Sequence, residues 1–117
     1  MRVRVLVSAL LVMSSSVRAE DPTWALGLGV QSCAKFAKVF QANPERTEEM
    51  FFSWATGYMT GLNLAGGRKS GPRNLAAMSF EEKQRFMRRF CDQYPLKAYM
   101  DGVLELYGAL PVSPPAR

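Results

Sequence analysis

Two cysteines, Cys33 and Cys91, constrain the fold of this chain more than any other feature of its 117 residues. Two thiolates are too few for a four-cysteine zinc site or an iron–sulfur cluster. Their wide separation also differs from the Cys-x-x-Cys spacing of redox-active pairs. An even pair is bonded when the protein reaches an oxidising compartment, so the first residues of the chain decide how the pair is interpreted.

Residues 1–19 have the three-part pattern of a secretory signal peptide. Arg2 and Arg4 precede an apolar run at residues 5–13, and a serine run then leads to Ala19. Nine residues rise only about 14 Å as a helix, which is short of the ~20 residues that span a bilayer. The pattern predicts cleavage after Ala19, no integral membrane segment after cleavage, and export to the bacterial periplasm.

Export predicts a disulfide between Cys33 and Cys91, with a structural role. Closing a loop of this length stabilises a fold by roughly 4 kcal/mol in the chain-entropy model. That is a large share of the ~5–15 kcal/mol by which a small domain is stable. The bond would join the first predicted helix to the third.

The apolar spacing predicts an all-α domain of four helices and a short fifth turn at residues 74–78. The first helix begins near Gln31 and ends at Asn43. Thr47 is the expected N-cap of the second helix, which places Glu48 and Glu49 in its first turn. The apolar stripe of this second helix is predicted to comprise Met50, Phe51, Trp54, Tyr58, Leu62 and Ala65.

The second half of the chain carries clearer start and stop signals. Ser79 and Glu82 form a capping-box pattern, so the third helix begins near Phe80. Pro95 suits the first position of the fourth helix. A flexible basic loop at residues 66–72 separates the second and third helices, and a disordered proline-rich tail is expected at 111–117. The predicted inner face of the fourth helix comprises Leu96, Met100, Val103, Tyr107 and Leu110.

Composition argues against an enzyme. The chain has no histidine, so no imidazole can act as a base or as a metal ligand. Ser70 lies in a Gly-rich loop that lacks the Gly-x-Ser-x-Gly pattern of a nucleophile elbow. After residue 19 the chain has twelve basic and ten acidic residues, a net charge of +2, which gives little support to nucleic-acid binding. We expect no catalytic residue, no metal and no cofactor.

Trp54, Gly57, Tyr58 and Gly61 are the candidate interaction residues. The two glycines are four residues apart and share one face of the second helix. Their spacing favours close packing against the fourth helix, with Trp54 and Tyr58 in the core. The alternative interpretation is a groove or a contact between two copies of the chain.

Four motifs follow one another over residues 31–110. They are Ser32-Cys33-x-x-Phe36, Phe52-Ser53-Trp54-x-x-Gly57-Tyr58-x-x-Gly61, Phe90-Cys91-x-x-Tyr94-Pro95 and Tyr99-x-Asp101-x-Val103. Their order resembles the HdeA-like group of small exported bacterial proteins. A related resemblance is to small periplasmic immunity proteins, which neutralise secreted effectors.

The resemblance implies an all-α periplasmic domain at residues 20–110, held by one disulfide. HdeA-type proteins dimerise at neutral pH, and in acid they open and hold unfolding clients. We therefore expect a non-enzymatic acid-stress chaperone with protein clients and a possible homodimer. The alternatives are an immunity-type protein that binds an effector, and a helical domain of unassigned role.

Overall fold

The computed structural model describes residues 25–114, and the predicted signal peptide and cleavage site lie outside them. The described part of the chain is all-α, as predicted, with isolated bridges in place of strands. A 3₁₀ turn at Leu28–Val30, which the sequence analysis did not predict, precedes the four helices. The helices are α1 (Cys33–Ala42), α2 (Pro44–Leu64), α3 (Phe80–Gln93) and α4 (Tyr99–Ala109). None of the helices in this part of the chain is long and apolar enough to cross a bilayer.

Local capping sets where α1 and α3 begin. The Ser32 side chain accepts a hydrogen bond from the Lys35 amide at 3.1 Å. At the start of α3, the Ser79 hydroxyl accepts from the Glu82 amide and the Glu82 carboxylate accepts from the Ser79 amide, at 3.1 and 2.7 Å. This reciprocal pair confirms the predicted capping box, because it satisfies two amides that a helix start leaves without partners.

The predicted start of α2 is wrong. Asn43 is the N-cap, and its side-chain oxygen accepts from the Arg46 amide at 3.2 Å. Pro44 follows at the first helical position, where its fixed φ fits and its missing N–H leaves no donor unpaired. Thr47 is therefore one turn inside the helix, where it is buried. Glu48 and Glu49 are likewise beyond the first turn, so they do not stabilise the helix start as expected.

The core lies where all four helices meet, and the predicted Cys33–Cys91 disulfide is formed within it. The two Cα atoms are 4.7 Å apart, and the bond joins α1 to α3. Beside it, the rings of Phe36, Phe51 and Tyr99 contact one another, with centroids 5.0–5.1 Å apart. The buried apolar residues outside this aromatic cluster are Phe52, Ala55, Met59, Met87, Phe90, Met100, Val103, Leu106, Tyr107 and Leu110.

The fourth helix begins later than predicted. Pro95 lies in a turn rather than at the first helical position, and α4 begins at Tyr99. The Asp101 carboxylate accepts from the Ala98 amide at 3.0 Å, which fixes the start. Leu96 therefore lies outside the helix and is 95% exposed, so its place in the predicted inner face is wrong.

The loop that follows α2 is held by hydrogen bonds. The helix ends in a Schellman motif, in which Gly66, at φ 97°, donates to Asn63 and Gly67 donates to Leu62. The basic loop at 66–72, expected to be flexible, then closes in a turn where Gly71 donates to Arg68 at 2.7 Å.

Arg73 anchors the rest of this connection to the end of α4. Its guanidinium donates to the Leu110 carbonyl at 2.8 Å, and its amide donates to the Asn63 side chain at 2.9 Å. Next to it, the predicted turn at 74–78 is present, with Ala77 donating to Asn74.

The proline-rich tail is ordered where it leaves α4. Asn74 donates to Pro111, and Ser113 donates to Pro72, at 2.9 and 2.8 Å. The prediction of a disordered tail is therefore wrong at these positions, because the loop beside α4 offers the tail's backbone partners. Residues 115–117 lie outside the described part of the chain.

Candidate functional site

An exposed apolar surface on α2 brings the four candidate interaction residues together. Trp54, Gly57, Tyr58 and Gly61 line one shallow groove, with Ser53 and Leu62 at its edges. Met50 and Leu64 extend the same side of the helix and are 44% and 85% exposed. We call these eight residues the α2 surface.

Trp54 is a half-buried boundary residue and not a core residue as predicted. Its indole N–H donates to the Leu26 carbonyl at 3.2 Å. A Cβ at Gly29 would lie 2.0 Å from the indole ring, so only glycine lets the 3₁₀ turn approach so closely. Tyr58, also half-buried, stacks on Trp54 with centroids 5.1 Å apart and planes 15° apart. These contacts fix both rings at the surface.

The predicted apolar stripe of α2 is rotated relative to the buried face. The buried apolar residues are Phe51, Phe52, Ala55 and Met59, and Phe51 is the one buried member of the predicted stripe. Both sets have helical spacing, because α2 is apolar on more than half of its circumference. Contacts with the other helices select one set for the core, and the rest of the stripe remains at the surface.

Gly57 and Gly61 do not mediate close packing against α4, as the sequence analysis favoured. Both are exposed, and a Cβ added at either would meet no atom within 4 Å. The close helix contact occurs instead at Gly102 of α4, where a Cβ would lie 2.5 Å from Phe90 and 2.7 Å from Met87 of α3. Among the described residues, the space above the two α2 glycines is open.

Along α2 and the loop that follows it, charged residues lie only at the two ends of the α2 surface. The chain has no charged residue between Glu49 and Arg68. Glu45, Arg46 and Glu49 precede this stretch, and Arg68 and Lys69 follow it. The surface therefore has an apolar centre, with charged residues of both signs before it and two basic residues after it.

A second cluster, which the sequence analysis missed, lies between α2 and α3. Glu48 is only 8% exposed and forms an ion pair with Arg88. Its second carboxylate oxygen and the Tyr99 hydroxyl are buried with no hydrogen-bond partner in the described structure. Glu48 shares a helix face with Phe51, Phe52 and Ala55, and that spacing is the signal that could have identified it as buried.

Burial shifts the acid–base equilibria of this cluster. Desolvation raises the pKa of Glu48, although the hydrogen bond and the charge of Arg88 partly oppose the shift. Desolvation, assisted by the Glu48 charge, raises the pKa of Tyr99 as well. By contrast, the Ser79 amide that donates to its carboxylate lowers the pKa of Glu82 at the start of α3.

Neither region has the composition of a metal centre. Within residues 25–114, no three cysteine, aspartate or glutamate side chains lie close enough together to hold a metal ion. The α2 surface offers aromatic rings, glycine and one serine hydroxyl, which suits contact with another apolar surface. Comparison with models of known protein families, with curated proteins and with solved structures finds no match to this chain.

Proposed function

We propose that the protein is exported to the periplasm and acts there as a non-enzymatic, acid-responsive chaperone that holds unfolding clients. The observation that carries this proposal is the aromatic cluster of Phe36, Phe51 and Tyr99, whose rings come from α1, α2 and α4. Beside it, the Glu48–Arg88 ion pair links side chains of α2 and α3, and we call the boundary between these two helices the seam.

The disulfide determines what can separate when the seam opens. Cys33–Cys91 ties α1 to α3, whereas α2 is joined to α3 by no covalent bond other than the chain itself. Loosening α2 therefore exposes aromatic rings while the order of the helices is kept. Such rings provide large apolar contact areas for an unfolding client.

In strong acid, repulsion between positively charged side chains favours opening of the fold. Protonation of all ten carboxyl groups after residue 19 leaves twelve positive side chains, and their mutual repulsion disfavours a compact state. Glu82, whose pKa is lowered, contributes stability that is lost as the pH falls through its folded-state value. Glu48 acts in the opposite direction, because its raised pKa makes protonation easier in the folded state. The fold is therefore expected to persist in mild acid and to open only in strong acid.

Light scattering of alkaline phosphatase at pH 2.5, with and without stoichiometric protein, tests the chaperone activity. We expect suppressed aggregation, together with reversible binding of a hydrophobic dye below about pH 3, which is typical of acid-loosened states. Unchanged aggregation at a stoichiometric ratio contradicts the proposal.

A matched pair of double variants tests the seam itself. Glu48→Met with Arg88→Met removes the buried pair and leaves apolar side chains, a change that is often neutral or stabilising. We expect dye binding to shift to lower pH and client protection to fall. Glu49→Met with Arg89→Met removes the same two charges from exposed positions and should behave like the parent protein.

An immunity-type protein is the second candidate, favoured by the exposed α2 surface, which needs no opening step at neutral pH. A secreted effector encoded beside this protein would be its partner. Relief of that effector's toxicity on co-expression, abolished by Trp54→Ala, would favour this candidate. Effector toxicity that is unchanged by co-expression would exclude that effector as the partner and leave the chaperone proposal unaffected.

A further inference from the structure

We propose that the α2 surface docks on an anionic lipid bilayer, with its apolar side chains at the level of the headgroups and basic residues beside the phosphates. This inference does not depend on the chaperone proposal. It rests on the exposed apolar side chains of α2, on the stacked rings of Trp54 and Tyr58, and on the sign of the charges that share this side of the helix.

Large apolar side chains are exposed at both ends of the α2 surface. Met50 is 44% exposed and Leu64 is 85% exposed, and they lie seven residues before and seven residues after Gly57. Residues seven apart lie on one side of a helix, so the three positions form a line. No described atom fills the space above Gly57 or Gly61. A bilayer surface can therefore contact Met50 and Leu64 at the same time. Exposed apolar patches of this kind mark sites of contact with proteins or membranes.

Trp54 and Tyr58 add an aromatic edge to this line. Their rings stack with centroids 5.1 Å apart. The Trp54 indole donates to the Leu26 carbonyl, and Leu26 is itself 77% exposed. Tryptophan and tyrosine are enriched at the level of lipid headgroups, because an apolar ring and a polar group suit the boundary between acyl chains and water. The stacked pair and Leu26 together offer a bilayer the side chains that bind at this depth.

The charged residue of α2 that shares the side of the open glycines is basic. At about 100° per residue, Arg46 lies within about 20° of Gly57 around the helix axis, whereas Glu49 and Glu45 lie about 80° and 120° away. These two glutamates instead border the groove that α2 forms with Phe80 and its neighbours on α3. The acidic residues at the start of α2 therefore do not face a bilayer that contacts the α2 surface.

The other end of the α2 surface is also basic. Arg68 and Lys69 follow the helix and are exposed, and no acidic residue occurs between Glu49 and Glu81. An apolar strip with basic residues at both ends complements a layer of anionic headgroups. Each lysine or arginine near such a layer increases membrane partitioning by roughly fivefold. Charge complementarity therefore favours a lipid surface of negative charge over a neutral one.

Vesicle flotation at pH 7 tests the proposal with the exported protein. We expect binding to vesicles of phosphatidylethanolamine and phosphatidylglycerol, little binding to phosphatidylcholine vesicles, and release by about 0.5 M salt. Leu64→Ser should lower the partition coefficient by about fivefold, because it removes an exposed apolar group from the contact. Leu96→Ser is the matched control, since Leu96 is 95% exposed but lies outside the α2 surface. Both variants should fold, which thermal unfolding measures.

Charge variants identify which side of the protein binds. Arg46→Gln should lower the partition coefficient by about fivefold. Arg85→Gln removes the same charge from an exposed position on α3 and should have a smaller effect. Trp24→Phe leaves Trp54 as the only tryptophan. Its fluorescence should then be quenched by lipids that carry bromine on their acyl chains.

Three results would overturn the proposal. The first is equal binding to anionic and neutral vesicles, or binding to neither. The second is Trp54 fluorescence that brominated lipids do not quench in the Trp24→Phe variant. The third is binding that Arg85→Gln weakens more than Arg46→Gln, which would assign the membrane contact to α3. All of these measurements are made at pH 7 without a client protein, so their failure does not affect the chaperone proposal, which is tested in acid.

Discussion

Helix α2 has two long apolar faces, of which one is buried in the core and the other is exposed. One face, with Phe51, Phe52, Ala55 and Met59, is buried in the core. The other, the α2 surface, has comparable aromatic content but keeps open space above its glycines. The same residue types thus stabilise the fold on one side and remain available for contact on the other. Position relative to the neighbouring helices, rather than hydrophobicity, determines which role a residue has.

The largest difference between the faces is expected on truncating one aromatic ring from each. Phe52→Ala removes a fully buried ring and should lower the free energy of unfolding by about 3–5 kcal/mol. Trp54→Ala removes a larger but half-buried ring and one hydrogen bond, and should cost about 2 kcal/mol. Chemical denaturation of dilute protein measures both. Equal losses would mean that Trp54 belongs to the core after all.

A smaller change in the free energy of unfolding should distinguish the packed glycine of α4 from the open glycines of α2. Gly102→Ala places a methyl group within 2.5 Å of Phe90 and should destabilise the fold by about 1–3 kcal/mol. Gly108→Ala is the control on the same helix, because its Cβ would meet no atom within 4 Å. A neutral Gly102→Ala would show that α3 and α4 separate easily.

On the exposed face of α2, replacing a glycine by alanine should raise the free energy of unfolding rather than lower it. Gly57→Ala fills empty space and replaces a poor helix former, so the free energy of unfolding should rise by up to about 1 kcal/mol. Thermal unfolding of dilute protein measures this gain. A loss of stability in Gly57→Ala would mean that the α2 surface is covered within a single chain.

The smallest expected effect is on the pH dependence of stability, and it comes from Glu48, the charged residue on the buried face of α2. The pKa of Glu48 is raised in the folded state, so its contribution to stability is present in acid and is lost as the pH rises through that value. Stability of the parent protein should therefore increase, relative to Glu48→Gln, as the pH falls from 7 towards the ordinary glutamate pKa. A difference that shrinks over this range would show that Arg88 outweighs desolvation.

Local signals in the sequence predicted the helices better than their packing. The start of α3 followed from Ser79 and Glu82, because a capping box is formed by residues three positions apart. The disulfide followed from the predicted export and from the presence of two cysteines. The start of α2 was misplaced, since Asn43 and Thr47 are both good caps and only Pro44 distinguishes them.

The sequence identified the residues of the candidate site, but the prediction of their environment was wrong. Trp54, Gly57, Tyr58 and Gly61 do lie together, as helical spacing requires. Their exposure could not be read from the sequence, because α2 has apolar residues at helical spacing on two faces. The Glu48–Arg88 pair was missed for a related reason: it joins residues 40 positions apart, and one chain gives no signal for such pairing.

The disulfide also divides the chain mechanically. A force applied between residues 25 and 114 passes directly from Cys33 to Cys91, so the 58-residue separation between them cannot contribute to extension. At ~3.6 Å per residue, about 210 Å of contour length is withheld until the bond is reduced. Of the four helices, α4 lies entirely outside this closed loop. Under load it is therefore the helix that can be drawn out completely, while α1 to α3 stay linked as a shortened unit.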